Sequence, residues 1–276
     1  MHNVDRYLGS FFADLCEQGA PYNKASYTLF GYIMLVSDES VPEKHLFPIA
    51  RQALKGWSAK FPQCSRTGAD PSIWFLLAEM MASKEPEAAA ALLLQLDSYA
   101  RPSEIVNLKC VDVIMPVSRV CKFWGVIFGN SATDDKTKAG LQDDTVLLNS
   151  LDRDYAPRVL SWVFHSAVND RLFPSLSLRS YESALNAARH AAGLGQFHLT
   201  PHCVRHSGPS IDFLRKSRSP EEIMSRGRWK SLKSIQRYRK PGQMLARMAK
   251  ISPDIWKLAE GSLDRTLSKL KKHYGA

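Results

Sequence analysis

The chain has little cysteine, no long apolar run, and almost no acid in one stretch of fifty residues. Its five cysteines, at positions 16, 64, 110, 121 and 203, are odd in number and scattered, with no Cys-x-x-Cys pair. That spacing argues against a disulfide framework and a zinc knuckle, so each thiol reads as a small buried side chain. No apolar stretch approaches the roughly 18–20 residues that a membrane-spanning helix needs. The opening segment lacks the basic start and apolar centre of a secretory signal. A cytosolic or nuclear protein is expected, neither secreted nor membrane-bound. Residues 201–250 hold 13 Lys and Arg against 3 Asp and Glu, a surplus equal to the net charge of +10 on the whole chain. The other 226 residues balance, with 24 basic and 24 acidic. Basic charge this localised displaces counterions from phosphates, so the expected partner is a polyanion.

Helical periodicity dominates what is present. Leu8, Phe11, Phe12 and Leu15 recur every three or four residues, and Tyr27, Phe30, Ile33 and Met34 follow the same period. Residues 4–60 therefore read as helices, broken at Gly19-Ala20-Pro21 and Ser40-Val41-Pro42. The polar, turn-rich stretch 63–72 reads as a linker between a small helical domain over 1–62 and a larger domain over 73–252. In the latter, helices are predicted over 73–81 and from 86 to about 99. The second contains Ala88-Ala89-Ala90-Ala91-Leu92-Leu93-Leu94, apolar nearly all round, which means a helix inside the core. Arg101-Pro102-Ser103-Glu104 starts another helix. Runs over 111–116, 121–129 and 144–148 are strand-like, with a polar turn over 130–143. Later helix starts are marked by Thr200-Pro201, Ser219-Pro220 and Ser252-Pro253, and Ser219 with Glu222 forms a capping box. The predicted fold class is mainly α with a small antiparallel β-sheet.

Within the basic stretch lies His202-Cys203-Val204-Arg205-His206. Thr200-Pro201 puts His202 and Arg205 in the first turns of a helix, where unpaired N–H groups and the helix dipole favour an anion. His202, Arg205 and His206 share a face. A zinc site of His198, His202 and His206 is disfavoured, because His198 precedes the proline and no HExxH glutamate or cysteine pair completes a set. No metal and no other cofactor is expected. Taken alone, this motif is weak, and its default reading is a structural His beside a surface Arg.

Three further segments change that reading. Gly227-Arg228-Trp229 is followed, nine residues after the Trp, by Tyr238. Upstream stands Tyr99-Ala100-Arg101-Pro102-Ser103-Glu104-Ile105-Val106-Asn107-Leu108. Between them, Thr137-Lys138-Ala139-Gly140 precedes Thr145-Val146-Leu147-Leu148. In this order and at these intervals, the segments resemble the motif boxes of the tyrosine recombinase (phage integrase) catalytic domain. Residues 4–60 resemble that family's N-terminal core-binding domain, without a sharp motif.

The resemblance implies a DNA breaking-rejoining catalytic fold behind a small helical domain, acting on double-stranded DNA as a homo-oligomer, a tetramer on its substrate. It implies strand transfer through a 3′-phosphotyrosine, without ATP or metal. Tyr238 is then the nucleophile, and Arg101 and Arg205 clamp the phosphate with planar bidentate donors. Trp229 offers one indole N–H, Lys138 protonates the departing 5′ oxygen, and His202 orients the phosphate or accepts the tyrosine proton. Lys136 competes with Lys138, Arg101 also suits a pair with Glu104, and His206 suits a supporting or a structural place. Several of Arg215, Lys216, Arg218, Arg226, Arg228, Lys230, Lys233, Arg237, Arg239 and Lys240 are expected to track DNA phosphates. The amphipathic segment 253–276, with Ile255, Trp256, Leu263, Leu267 and Leu270 on one stripe, either docks on a neighbouring protomer or packs on its own domain. Two other functions fit the same residues: a domesticated DNA-binding module without activity, and a tyrosine-dependent type IB topoisomerase or telomere resolvase.

Overall fold

The computed structural model describes residues 2–37, 45–61, 67–129, 144–239 and 241–275. The chain divides into two compact units, Met1–Ser65 and Arg66–Ala276.

The first unit holds α1 (His2–Glu17), α2 (Tyr22–Val36) and α3 (Pro48–Lys60). Its core is built from Leu8, Phe12 and Leu15 of α1, Ala25, Leu29 and Ile33 of α2, and Ala50, Leu54 and Trp57 of α3. Asp5 is buried, and its carboxylate accepts from the N–H groups of Ile49 (3.0 Å) and Ala50 (2.9 Å). An acid on α1 thereby caps the positive end of α3, whose own N-cap, Phe47, makes no side-chain bond. The helical period in α2 is as expected, but the buried face is not. Tyr27, Phe30 and Met34 are exposed, while Ala25, Leu29 and Ile33 face inward. This helix is apolar on most sides, so periodicity alone does not choose its inner face.

The second unit contains α4 (Pro71–Ala82), α5 (Pro86–Ser98), α6 (Pro102–Val106), β1 (Val113–Ile114), β2 (Gly125–Phe128) and β3 (Asp144–Leu147). There follow α7 (Tyr155–Ser166), α8 (Leu178–Ala191), α9 (Pro201–Arg215), α10 (Pro220–Arg226), α11 (Leu232–Ile235), α12 (Gly242–Met248), α13 (Pro253–Ala259) and α14 (Ser262–Tyr274). Proline stands in the first turn of α4, α5, α6, α9, α10 and α13, where its missing N–H costs nothing. Ser219 makes the expected reciprocal capping box with Glu222, at 3.1 and 2.6 Å. Thr200 and Ser252 precede their prolines without a side-chain cap bond.

Helix α5 is the hub. Every residue from Ala88 to Ser98 is buried, and α4, α7, α8, α9 and α14 pack around it. The sheet has order β1-β2-β3, antiparallel throughout, with Val113 opposite Val126 and Gly125 opposite Leu147. The first two strands are shorter than the apolar runs suggest. Cys110–Asp112 forms a 3₁₀ turn before β1, and a Val117–Cys121 bridge closes a tight loop through Arg119 at φ 66°.

Two boundaries need correction. The later part of the segment read as a linker, 67–70, is built into the second unit: Ala69 is fully buried and its N–H donates to Ser207 Oγ at 2.8 Å. The C-terminal stripe packs on its own unit. Leu267 and Leu270 of α14 join the main core, against α4 and α7, and Ile255, Trp256 and Leu263 lie beside them. Among the described residues, no helix is long and apolar enough to cross a membrane, and no group of three His, Cys, Asp or Glu is arranged to hold a metal.

Candidate active site

The site is assembled where the end of α5, the start of α6, the middle of α9 and the end of α10 meet. Tyr99 closes α5 in the left-handed conformation (φ 54°) and sends the chain to Arg101, the N-cap of α6. The Arg101 N–H donates to Glu104 Oε2 at 2.6 Å, and the Arg101 guanidinium pairs with Glu104 Oε1. Arg101 is thus paired with Glu104, and its side chain is about one-fifth exposed.

Arg205 lies one turn into α9 and is buried, 5% exposed. Its guanidinium donates to the carbonyls of Tyr99 and, at 2.7 Å, Gly227, so it braces the end of α5 against the end of α10. Glu104 Oε2 is 3.8 Å away. Gly208 permits this close crossing, because a Cβ there would lie 2.3 Å from the Tyr99 ring and 2.6 Å from the Leu96 carbonyl oxygen. Trp229 follows α10, with its ring centroid 4.9 Å from the Arg205 guanidinium carbon and 5.1 Å from the Tyr238 ring. Tyr238 lies in the 3₁₀ turn Gln236–Arg239 and is buried. Its hydroxyl is 2.7 Å from His206 Nδ1. Arg101, Arg205, Trp229 and Tyr238, drawn from four separate elements, are thus linked through Glu104, Tyr99 and Gly227. His202 is half-buried on the first turn of α9, one turn before His206. Lys138, with Lys136, Thr137 and Gly140, lies outside the described residues.

The local electrostatics favour an anion. Arg101, Arg205 and Arg228 converge on one carboxylate, Glu104. Burial raises the Glu104 pKa, but Arg228, the Arg101 N–H, Arg101 and Arg205 together outweigh it and hold the group below the usual carboxylate range. Burial first, and the charge of Arg228 second, lower the Arg205 pKa to about 9. Removal from water is the larger cause, and the neighbouring guanidinium groups add to it.

No protein-family model and no curated protein sequence matches the chain. Solved structures do. The XerH site-specific recombinase in a post-cleavage complex with a palindromic difH substrate aligns over 90% of this chain and 72% of its own, with a TM-score of 0.55 and 14% identity. The fold is the tyrosine recombinase catalytic fold. XerA recombinase aligns over 91% of both chains at a TM-score of 0.49 and 16% identity. A lambda integrase dimer bound to a core site aligns over 87% of this chain and 95% of its own, at 0.48 and 14%. Identity at this level speaks for the fold alone.

Beneath the site the recombinase fold carries a charged core that the sequence did not reveal. Asp97 and Asp212, both buried, hold Arg226 (2.7 Å to Asp97), Arg153 (bonded to Asp212, 3.5 Å from Asp97) and Arg218 (3.3 Å from Asp212). Ser150 donates to Asp97 at 2.6 Å, Ser217 donates to Asp212 at 3.0 Å, and the Tyr99 hydroxyl donates to Asp212. Of the ten cations among which several are expected to track DNA, Arg226 and Arg228 are buried and ion-paired. Arg215 is exposed but paired with Asp152 at 3.0 Å. Net charge along a sequence does not distinguish a cation on the surface from one matched by a distant aspartate.

Proposed function

We propose that this protein cuts and rejoins DNA strands by transesterification at Tyr238. The observation that carries the reading is the 2.7 Å hydrogen bond between Tyr238 Oη and His206 Nδ1, beside the cluster of Arg101, Arg205 and Arg228. In this reading a DNA phosphate occupies the space before Arg101 and Arg205. Tyr238 Oη attacks phosphorus, its proton passes to His206, and the P–O5′ bond breaks to leave a 3′-phosphotyrosine. The departing 5′ oxygen takes a proton from Lys138. Rejoining is the reverse, with the 5′ hydroxyl as nucleophile. An unaided phenol, with a pKa near 10, is a weak nucleophile at neutral pH, so a base at hydrogen-bond distance and nearby guanidinium charge are the two aids it needs. The aromatic surround of Trp229 limits water, which would otherwise hydrolyse the covalent intermediate. The fold similarity to a recombinase supports the same reading.

The test is covalent trapping on a panel of nicked duplexes. The full chain is expected to give a denaturation-resistant protein–DNA adduct, which Tyr238→Phe abolishes while DNA affinity stays within about threefold, because one hydroxyl carries little of a phosphate-driven binding energy. DNA binding without an adduct on any duplex would leave a binding module. Relaxation of supercoiled plasmid without site preference would make it a topoisomerase.

A further inference from the structure

Arg228 is an unusual place for an arginine. It adopts φ 56°, a conformation that disfavours any residue with a Cβ. Its side chain is 1% exposed, and its guanidinium stacks over the Phe128 ring at 4.0 Å. One nitrogen donates to Glu104 Oε2 at 2.7 Å, while Nε is buried with no hydrogen-bond partner. A strained backbone, a buried charge and an unmet donor are three costs at one residue, and packing alone accounts for none of them.

Glu104 shows what the residue does. Its Oε2 accepts from the Arg101 N–H at 2.6 Å and from Arg228 at 2.7 Å, while Arg205 stands off at 3.8 Å. With both donors in place, this oxygen has no need of Arg205. We propose that Arg228 is a positioning residue of the anion site: by occupying Glu104 it keeps the carboxylate on which the three arginines converge from neutralising Arg205. With Asp144 also near Arg228 and Arg101, the cluster holds three cations against two anions and keeps one positive charge for a phosphodiester. This deepens the strand-transfer reading and rests on it for the identity of the anion.

The variants follow from charge balance. Arg228→Gly suits the left-handed backbone and leaves two cations against Glu104, which is then free to close on Arg205. Glu104→Gln removes the competing charge, and the double variant restores the surplus of the parent chain. Binding of inorganic phosphate to the full chain, read from thermal shifts at matched ionic strength, is the first measurement. Loss of one nearby charge is expected to weaken phosphate about tenfold in Arg228→Gly, and Glu104→Gln to tighten it severalfold. The double variant is expected to return to within about threefold of the parent chain, the coupling that a double-mutant cycle detects. A structural arginine would give no such rescue. Unchanged phosphate binding in Arg228→Gly, or a double variant as weak as it, overturns the proposal. If Arg228→Gly does not fold, Glu104→Gln alone decides, and no gain in phosphate affinity overturns it. Covalent trapping on nicked DNA runs in parallel. The full phosphate pattern without any Tyr238 adduct in the parent chain would sink the strand-transfer reading and still support the role of Arg228.

Discussion

The bonds of Arg205 to the Tyr99 and Gly227 carbonyls hold its direction without cancelling its charge, which suits the phosphate-binding role proposed for it. His206 is the complementary case, an aromatic nitrogen held on the oxygen of Tyr238, the proposed nucleophile. If it accepts the tyrosine proton, His206→Gln keeps a polar group of similar reach but no base. The expected result is a loss of about 10²-fold or more in the rate of adduct formation, with DNA affinity unchanged, measured by single-turnover trapping. A rate within about threefold of the parent would remove His206 from the chemistry. At this scale the sequence was partly legible. Arg101, Arg205, Trp229 and Tyr238 were legible as candidates, because the order and spacing of the motifs mark them, and the structure brings them close together. The roles of His206 and Arg228 were not, since they depend on Tyr238 and Glu104, which lie 32 and 124 residues away along the chain.

Helices α5, α9 and α10 are held in register by the ion network beneath the site, with Asp97 and Asp212 as its two anions. Asp212 lies on α9, two turns beyond Arg205, so its pairing with Arg153 and Tyr99 fixes the helix that carries the catalytic candidates. Asp212→Asn would leave Arg153 and Arg218 short of a partner in the interior. Breaking one side of a buried pair typically costs about 3–5 kcal/mol, and a loss of that size is expected in denaturant unfolding of the second unit. A loss below about 1 kcal/mol would show that water or Asp97 takes over the charge. Most helices of this unit were legible because proline in the first turn and an apolar period mark them independently. The strands were overestimated, since β-rich residues at 111–116 and 121–129 also suit a 3₁₀ turn and a tight loop. The inner face of α2 was not legible, because the helix has no clear polar side to orient it.

At the scale of the whole molecule, the basic excess divides into two populations. Arg226 and Arg228 are spent inside, on Asp97 and Glu104, and contribute little to long-range attraction of DNA. Lys230 and Lys233 are exposed and border the site, one directly after Trp229 and the other in the short helix leading to Tyr238. The proposed DNA grip therefore rests on this second population, and salt dependence distinguishes the two. Each lysine that meets a phosphate releases about one counterion, so removing it lowers the slope of log affinity against log salt by about 0.9. For Lys230→Gln with Lys233→Gln, the expected fall in slope is about 1.8, similar across DNA sequences, with thermal stability unchanged because neither side chain is buried. An unchanged slope would move the DNA path away from this side of Tyr238. Because binding by exposed lysines is blind to sequence, the double variant should slow capture of DNA without altering the rate of adduct formation once DNA is saturating.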